Sequence, residues 1–160
     1  MTKEISLTQG KVALVSDQDY AELSRYKWYA QRAKYTWYAR RKVQIGYKKQ
    51  ATIVMHRQIL GVDGPTEIDH IDHDGLNNTR ENLRLCTRSE NQQNRRVLPG
   101  KSKGVTWHRR EKKWYVHIGL DGKRKHVGRF DSLDEATAAY DAAAKKYYGE
   151  FAQPNMKEKA

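Results

Sequence analysis

The stretch from Met55 to Arg96 constrains this chain more than any other. One apolar run carries Asp69-His70, a second carries Leu83 and Leu85, and a polar loop separates them. Thr87-x-x-Glu90 follows with the spacing of a capping box, which predicts the start of a short helix. Asn91 and Asn94, three residues apart, fall on one face of that helix. The predicted unit is strand, loop, strand, helix, with an Asp-His pair facing a helix-borne Asn.

The loop itself nearly makes a calcium site. His70, Asp72, Asp74, Gly75 and Glu81 stand at positions one, three, five, six and twelve of an EF-hand pattern, with Gly75 in the turn position. Position one should be Asp, and Gly61, Gly64 and Pro65 stand where a helix would have to precede. The calcium reading is set aside, and His73 reads as an exposed loop residue.

Charge names the partner. The 160 residues carry a formal net charge of +12, with a pI near 9.8 and only 38% hydrophobic residues. Such a balance implies a polyanionic partner, nucleic acid or an anionic membrane surface. No apolar run has the length of a membrane span, and no signal-peptide core follows Met1. Lys and Arg spread along the chain among Tyr, Trp and His favour nucleic acid over membrane. The single cysteine, Cys86, excludes a disulfide scaffold and a zinc site built on Cys pairs. It reads as a small buried hydrophobe of a reducing compartment.

The central stretch resembles the HNH (ββα-metal) nuclease family. The resemblance rests on Asp69-His70, on Asn82 twelve positions after His70, and on Asn91 nine positions after Asn82, with Met-His-Arg-x-Ile-Leu-Gly ahead of them. The family's last letter is often His. Asn stands there in a subset typified by phage intron-homing nucleases. Phosphodiester hydrolysis needs a base near neutral pH and a hard cation on the phosphate. The resemblance implies that His70 is the general base and that Asp69 and Asn91 hold one Mg²⁺ or Mn²⁺ ion. It implies that Asn82 fixes the loop and orients the His70 imidazole. Arg95 and Arg96 suit phosphates, or a helix C-terminus. His56 reads as structural.

Ahead of this core, positions 1–54 read as a small basic β-rich unit. Ile5-Ser6-Leu7 and Val12–Val15 flank a turn at Gly10. Ser16 is placed to cap a short helix reaching about Ser24. Trp28–Gln31, Tyr35–Arg41 and Ala51–His56 read as strands. Arg40, Arg41, Lys42, Lys48 and Lys49 are phosphate contacts or solvated charge, and the sequence does not choose.

Pro99-Gly100 marks positions 97–102 as a linker. Positions 103–155 then predict three strands, Gly104–Arg109, Trp114–Leu120 and Lys123–Phe130, with Asp121-Gly122 as a two-residue hairpin turn. Ser132-x-x-Glu135 opens an Ala-rich helix to about Tyr148, stopped by Gly149. Alternation turns Val105, Trp107, Trp114, Val116, Ile118, Val127 and Phe130 toward the helix. Thr106, His108, Tyr115, His117, Arg124 and His126 point away, a face that suits a major groove or is an idle basic surface.

This part is similar to the Apetala/ethylene-response-factor type of DNA-binding domain. The carriers are Lys-Gly-Val-x-Trp, Lys-Trp-x-Val-x-Ile, the run from His126 to Ala144, and Gly-Glu-Phe-Ala. Lys103, Thr106, His108, Arg124 and His126 sit where that family touches DNA. Thr106 and His108 stand where plant members often have Arg, so no base preference carries over.

The expectation is an α+β protein: a β-rich front, a nuclease core over 55–96, and a C-terminal three-stranded antiparallel sheet on one helix. Its function is expected to be metal-dependent cleavage of double-stranded DNA, of the homing type. The molecule is expected to be an intracellular monomer that nicks, in a phage or its bacterial host, with no membrane and no small-molecule cofactor. The rival reading is a DNA-binding transcriptional regulator with a vestigial nuclease centre. An RNA-binding role is disfavoured by the groove-reading sheet.

Overall fold

Apolar alternation over residues 2–16 produces a hairpin, β1 (Thr2–Ser6) and β2 (Val12–Ser16), in the structure, a computed structural model that describes residues 1–155. Its turn uses left-handed backbone at Gln9 and Gly10. The described residues form a mixed α+β chain of several small sheets and four helices. They fall into two compact units, Met1–Arg88 and a second from Ser89 onward.

In the first unit, α1 (Asp17–Leu23) follows β2, with Ser16 at its N-cap position. The Ser16 hydroxyl does not cap the helix as expected. Its Oγ accepts from the Arg80 backbone N–H at 2.9 Å instead. The Arg80 guanidinium grips Asp19 and donates to the Ile59 carbonyl, so one side chain ties α1 to later parts of the unit. Next, β3 (Tyr29–Arg32), β4 (Trp37–Gly46) and β5 (Lys49–Val54) form an antiparallel sheet. The expected strand through His56 stops at Val54, and α2 (Met55–Leu60) begins. Gly61, left-handed at φ 61°, ends it.

Then β6 (Glu67–His70) pairs antiparallel with β8 (Leu83–Cys86), which sets Asp69 opposite Arg84 and His70 opposite Leu83. Between them, β7 (Asn77–Asn78) runs parallel to β2, with Leu14 opposite Asn77. Residues on both sides of position 55 share one core, including Ile5, Val15, Leu23, Trp28, Met55 and Leu83. Met55 is fully buried, so truncating it to Ala should cost about 2–5 kcal/mol. The hairpin and the Asp-His strand are thereby parts of one body.

Helix α3 (Arg88–Gln93) follows Thr87 where the two units divide. In the second unit, β9 (Val105–His108), β10 (Lys113–Leu120) and β11 (Lys123–Phe130) form an antiparallel sheet, β11-β10-β9. Asp121 and Gly122 both have positive φ, as the tight turn requires. Ser132 and Glu135 make a reciprocal capping box for α4 (Leu133–Tyr148), whose C-cap is Gly149. Val116, Ile118, Ala136, Tyr140, Ala143 and Ala144 are the buried core. Gly104 explains the Lys-Gly-Val start: a Cβ there would lie 2.2 Å from the Tyr140 ring and 2.4 Å from the His117 carbonyl.

Two sheet expectations change. Trp107 stays 41% exposed and packs on Trp114, centroids 5.0 Å apart, instead of entering the core. A bulge between Val116 and His117 breaks simple alternation, so Arg129 pairs opposite Tyr115 and joins the outer face.

Candidate active site

Asp69 and His70 end β6, and both are buried. A buried carboxylate needs a partner, and the cross-strand register supplies it. The Arg84 guanidinium donates to Asp69 Oδ2 through Nε at 2.9 Å and Nη2 at 2.7 Å. Arg84 was not among the expected site residues. Its signal was present, since antiparallel pairing of Ile-Asp-His with Leu-Arg-Leu puts Asp opposite Arg.

His70 packs in a ring cluster. Its centroid lies 5.0 Å from His56, edge-on, and 5.8 Å from Tyr38, while Tyr38 and His56 are 5.6 Å apart. Burial pushes the His70 ring below its ordinary pKa, against the pull of the Asn78 hydrogen bond and of Asp72, Asp69 and Asp74. His56 is pushed down to about 3, mainly by burial and then by His70. His56 Nδ1 is buried with no hydrogen-bond partner. Burial also pushes the Tyr38 hydroxyl up.

The residue beside the imidazole is Asn78, whose Oδ1 lies 3.5 Å from His70 Nε2. Asn78 is completely buried, and its amide donates to the Leu76 carbonyl at 3.0 Å. Nothing in its sequence neighbourhood marks it apart from Asn77. Asn82 holds the loop. Its Oδ1 accepts from the Asp72 N–H at 3.0 Å, and its Nδ2 donates to Asp72 Oδ1 and to the Asn77 carbonyl at 2.9 and 2.8 Å.

The acidic loop turns its carboxylates inward. Asp72 Oδ1 accepts from the Asp74 N–H, and Asp74 Oδ1 from the Leu76 N–H. The left-handed residue is His73, at φ 65°, and not Gly75. Gly75 is needed for space, since a Cβ there would stand 2.4 Å from the Trp37 carbonyl.

In the second unit, Asn91 lies on α3, Asn94 just past it is buried, and Arg95 and Arg96 are exposed. Lys103 turns back on its own unit. Its Nζ donates to the Gln93 and Arg95 carbonyls at 2.6 and 3.1 Å, and burial pushes its pKa down to about 8. Asn155 clasps the Lys103 backbone from both sides.

The outer face of the second sheet brings its expected residues together. His108 and Tyr115 are 4.8 Å apart, Tyr115 and His126 5.8 Å, and His117 and His126 5.1 Å. Thr106 pairs opposite Tyr115 on β9, and Arg124 opposite Gly119 on β11. Arg129 lies over the Tyr115 ring and pairs with Glu111, which also accepts from the Tyr115 hydroxyl. Arg129 is an addition that the bulge concealed, and Glu111 one that comes from the connection between β9 and β10.

Comparison with known proteins gives a family match and several relatives. The HNH endonuclease family matches residues 49–93, which hold β5, β6, β8 and the Asp-His pair. An uncharacterized HNH endonuclease of Acanthamoeba polyphaga mimivirus is 32% identical over 150 residues, covering 92% of this chain and 76% of that protein. Protein 3.8 of Escherichia phage T7 is 32% identical over 89 residues, 54% of this chain and 73% of that one. An AP2-like ethylene-responsive transcription factor of Arabidopsis thaliana is 45% identical over 47 residues, 29% of this chain and 10% of the factor. The family match and the mimivirus relative make this a DNA endonuclease. The chain belongs to the HNH endonuclease family.

Nucleases of this family are in general metal-dependent. The donors can be tested for fit. Among the described residues no three His, Cys, Asp or Glu side chains group closely enough to cage a metal. That does not suit a structural zinc site, which needs four such ligands. A hard cation such as Mg²⁺ or Mn²⁺ needs only one or two protein carboxylates and draws the rest from water and phosphate. Asp69 is such a carboxylate, next in sequence to the buried imidazole. No helix among the described residues is long and apolar enough to cross a membrane.

Proposed function

We propose that the first unit cuts double-stranded DNA at His70 and that the second unit's sheet chooses where. The observation that carries the reading is the buried Asp69-His70 pair, with Arg84 on the carboxylate and Asn78 on the imidazole. The Asn78 amide is committed to the Leu76 carbonyl, so its Oδ1 faces His70 Nε2. That favours the tautomer with its proton on Nε2, and the neutral imidazole would take the proton from the attacking water. A ring kept below its ordinary pKa stays neutral at physiological pH, the state a base requires. When bound, Mg²⁺ or Mn²⁺ neutralises charge on the phosphate and the leaving oxygen. Asp69 would hold it, and Asn91 keeps the ligand role that the family resemblance gives it. Asn82 holds the loop that follows the base.

The outer sheet face, with Thr106, His108, Tyr115, His117, Arg124 and His126, would read base edges in the major groove. Its support is the clustering of His108, Tyr115, His117 and His126 on that face and the similarity to a plant transcription factor over 47 residues. Arg95 and Arg96 would grip phosphates. Lys103 is better read as a cap on α3. The enzyme would act inside a cell as a homing-type monomer that nicks. Incubation with supercoiled plasmid, with Mg²⁺, Mn²⁺ or EDTA, is the test. Open-circle product with either metal and none in EDTA is the expected result, and equal cutting in EDTA would overturn it.

A further inference from the structure

The positive charge is not spread evenly after all. Positions 23–62 hold ten of the chain's 31 Lys and Arg and not one Asp or Glu. One quarter of the sequence thus carries ten of its twelve net charges. The β3-β4-β5 sheet lies in this quarter.

That sheet has an unusual outline. β3 pairs with β4 only over Trp37–Arg40, whereas β4 and β5 pair on from Arg40 opposite Val54 to Gly46 opposite Lys49. Past Arg41 the sheet is therefore a two-stranded ribbon, roughly 20 Å long at ~3.3 Å per residue. Its end meets little of the protein: Ile45 is 63% exposed and Tyr47 88%. A bare ribbon with an apolar tip contributes little stability by itself, which points to use against a partner.

The ribbon's register arranges its side chains. Lys42 stands opposite Thr52 and Gln44 directly opposite Gln50, all four exposed and on one face by alternation. Lys48 and Lys49 close the tip. Lys gives point charges for phosphates. Gln can bond the N6 and N7 edge of adenine, and small apolar groups meet the thymine methyl. A two-stranded ribbon is also one of the shapes that enters a major groove, about 12 Å wide and 8.5 Å deep.

We propose that the β4–β5 ribbon lies in the major groove of the target duplex and is a second reader of sequence. Gln44 and Gln50 meet base edges side by side, Lys42, Lys48 and Lys49 hold phosphates, and Ile45 and Tyr47 cover apolar base surface. The inference rests on the chain being a DNA endonuclease. It adds that the cutting unit chooses bases for itself.

The test uses the full chain and reads binding, so a wild type that binds but does not cut counts against the nuclease reading and still decides this one. Bound duplexes are selected from a random pool with the wild type, Gln44→Ala/Gln50→Ala, and Gln44→Asn/Gln50→Asn, whose side chains are one methylene shorter. Both doubles should lose roughly tenfold or more preference at one or two base pairs that the wild type selects. Lys42→Ala/Lys48→Ala/Lys49→Ala should flatten the plot of log affinity against log salt by up to about 2.7, at ~0.9 for each lost phosphate contact. All these positions are exposed, so the variants should fold, which circular dichroism checks. Unchanged selection together with an unchanged salt slope would overturn the proposal.

Discussion

His56 stands edge-on to His70, ring centroids 5.0 Å apart and planes at 82°. His56 is buried enough to hold its pKa near 3, against an ordinary 6.5. Between those values the unfolded chain takes a proton there and the folded chain does not. The stability that neutral His56 contributes is therefore complete above pH 6.5 and is lost as the pH falls toward 3. The slope should approach 1.4 kcal/mol per pH unit, the worth of about one proton. Urea midpoints at pH 7.5 and 5.0 should converge for His56→Phe relative to wild type. Parallel pH dependence in the two proteins would remove the ring from the account.

His70→Ala should slow cleavage about 10²–10⁴-fold, the usual worth of a general base. DNA affinity should change little, because the side chain is buried. Gel-shift and nicking assays on one preparation separate the two quantities. A variant that nicks at the wild-type rate would show that another group takes the proton.

Arg84→Ala leaves the buried Asp69 carboxylate without its guanidinium. Breaking a buried pair from one side typically costs about 3–5 kcal/mol. The double variant Arg84→Met/Asp69→Asn should recover much of that stability but none of the activity. Denaturant melts of the two variants and the wild type test the coupling. A single variant as stable as wild type would mean that water reaches the carboxylate.

Gly104→Ala should destabilise the second unit, since the new Cβ would meet both the Tyr140 ring and the His117 carbonyl at a left-handed φ of 67°. Gly122→Ala, also left-handed but with nothing nearby, should be milder. Thermal melts rank them, and the opposite order would put backbone strain above packing.

Arg124→Ala should weaken binding more on a selected site than on random duplex, by about 1–3 kcal/mol, as a base contact does. Equal losses on both would make Arg124 a phosphate contact. Trp114→Ala, which removes a side chain packed on the core, should instead lower stability.

Local chemistry was legible in the sequence. The Ser132–Glu135 capping box, the Asp121-Gly122 turn and the Asp-His strand all appear where residue type alone put them. What escaped depended on distant partners. Thr52-Ile53-Val54 reads as strand, and nothing local says that helix starts at Met55. The Ser16 hydroxyl left its cap for a backbone N–H 64 residues away. Arg129 reached the outer face only through a bulge, which moves every later residue by one. Asn78 meets His70 through loop geometry that no spacing rule predicts.

The parallel pairing of Leu14 with Asn77 has a consequence for the timing of synthesis. The loop that seats Asn78 against His70 is completed by a hairpin made about sixty residues earlier on the ribosome. A chain emerging N-terminus first therefore carries the template before the loop arrives. Such distant contacts form late, because loop closure must precede the gain from pairing. A nascent or N-terminally clipped chain would bear the Asp-His dipeptide without Asn78 seated beside the imidazole.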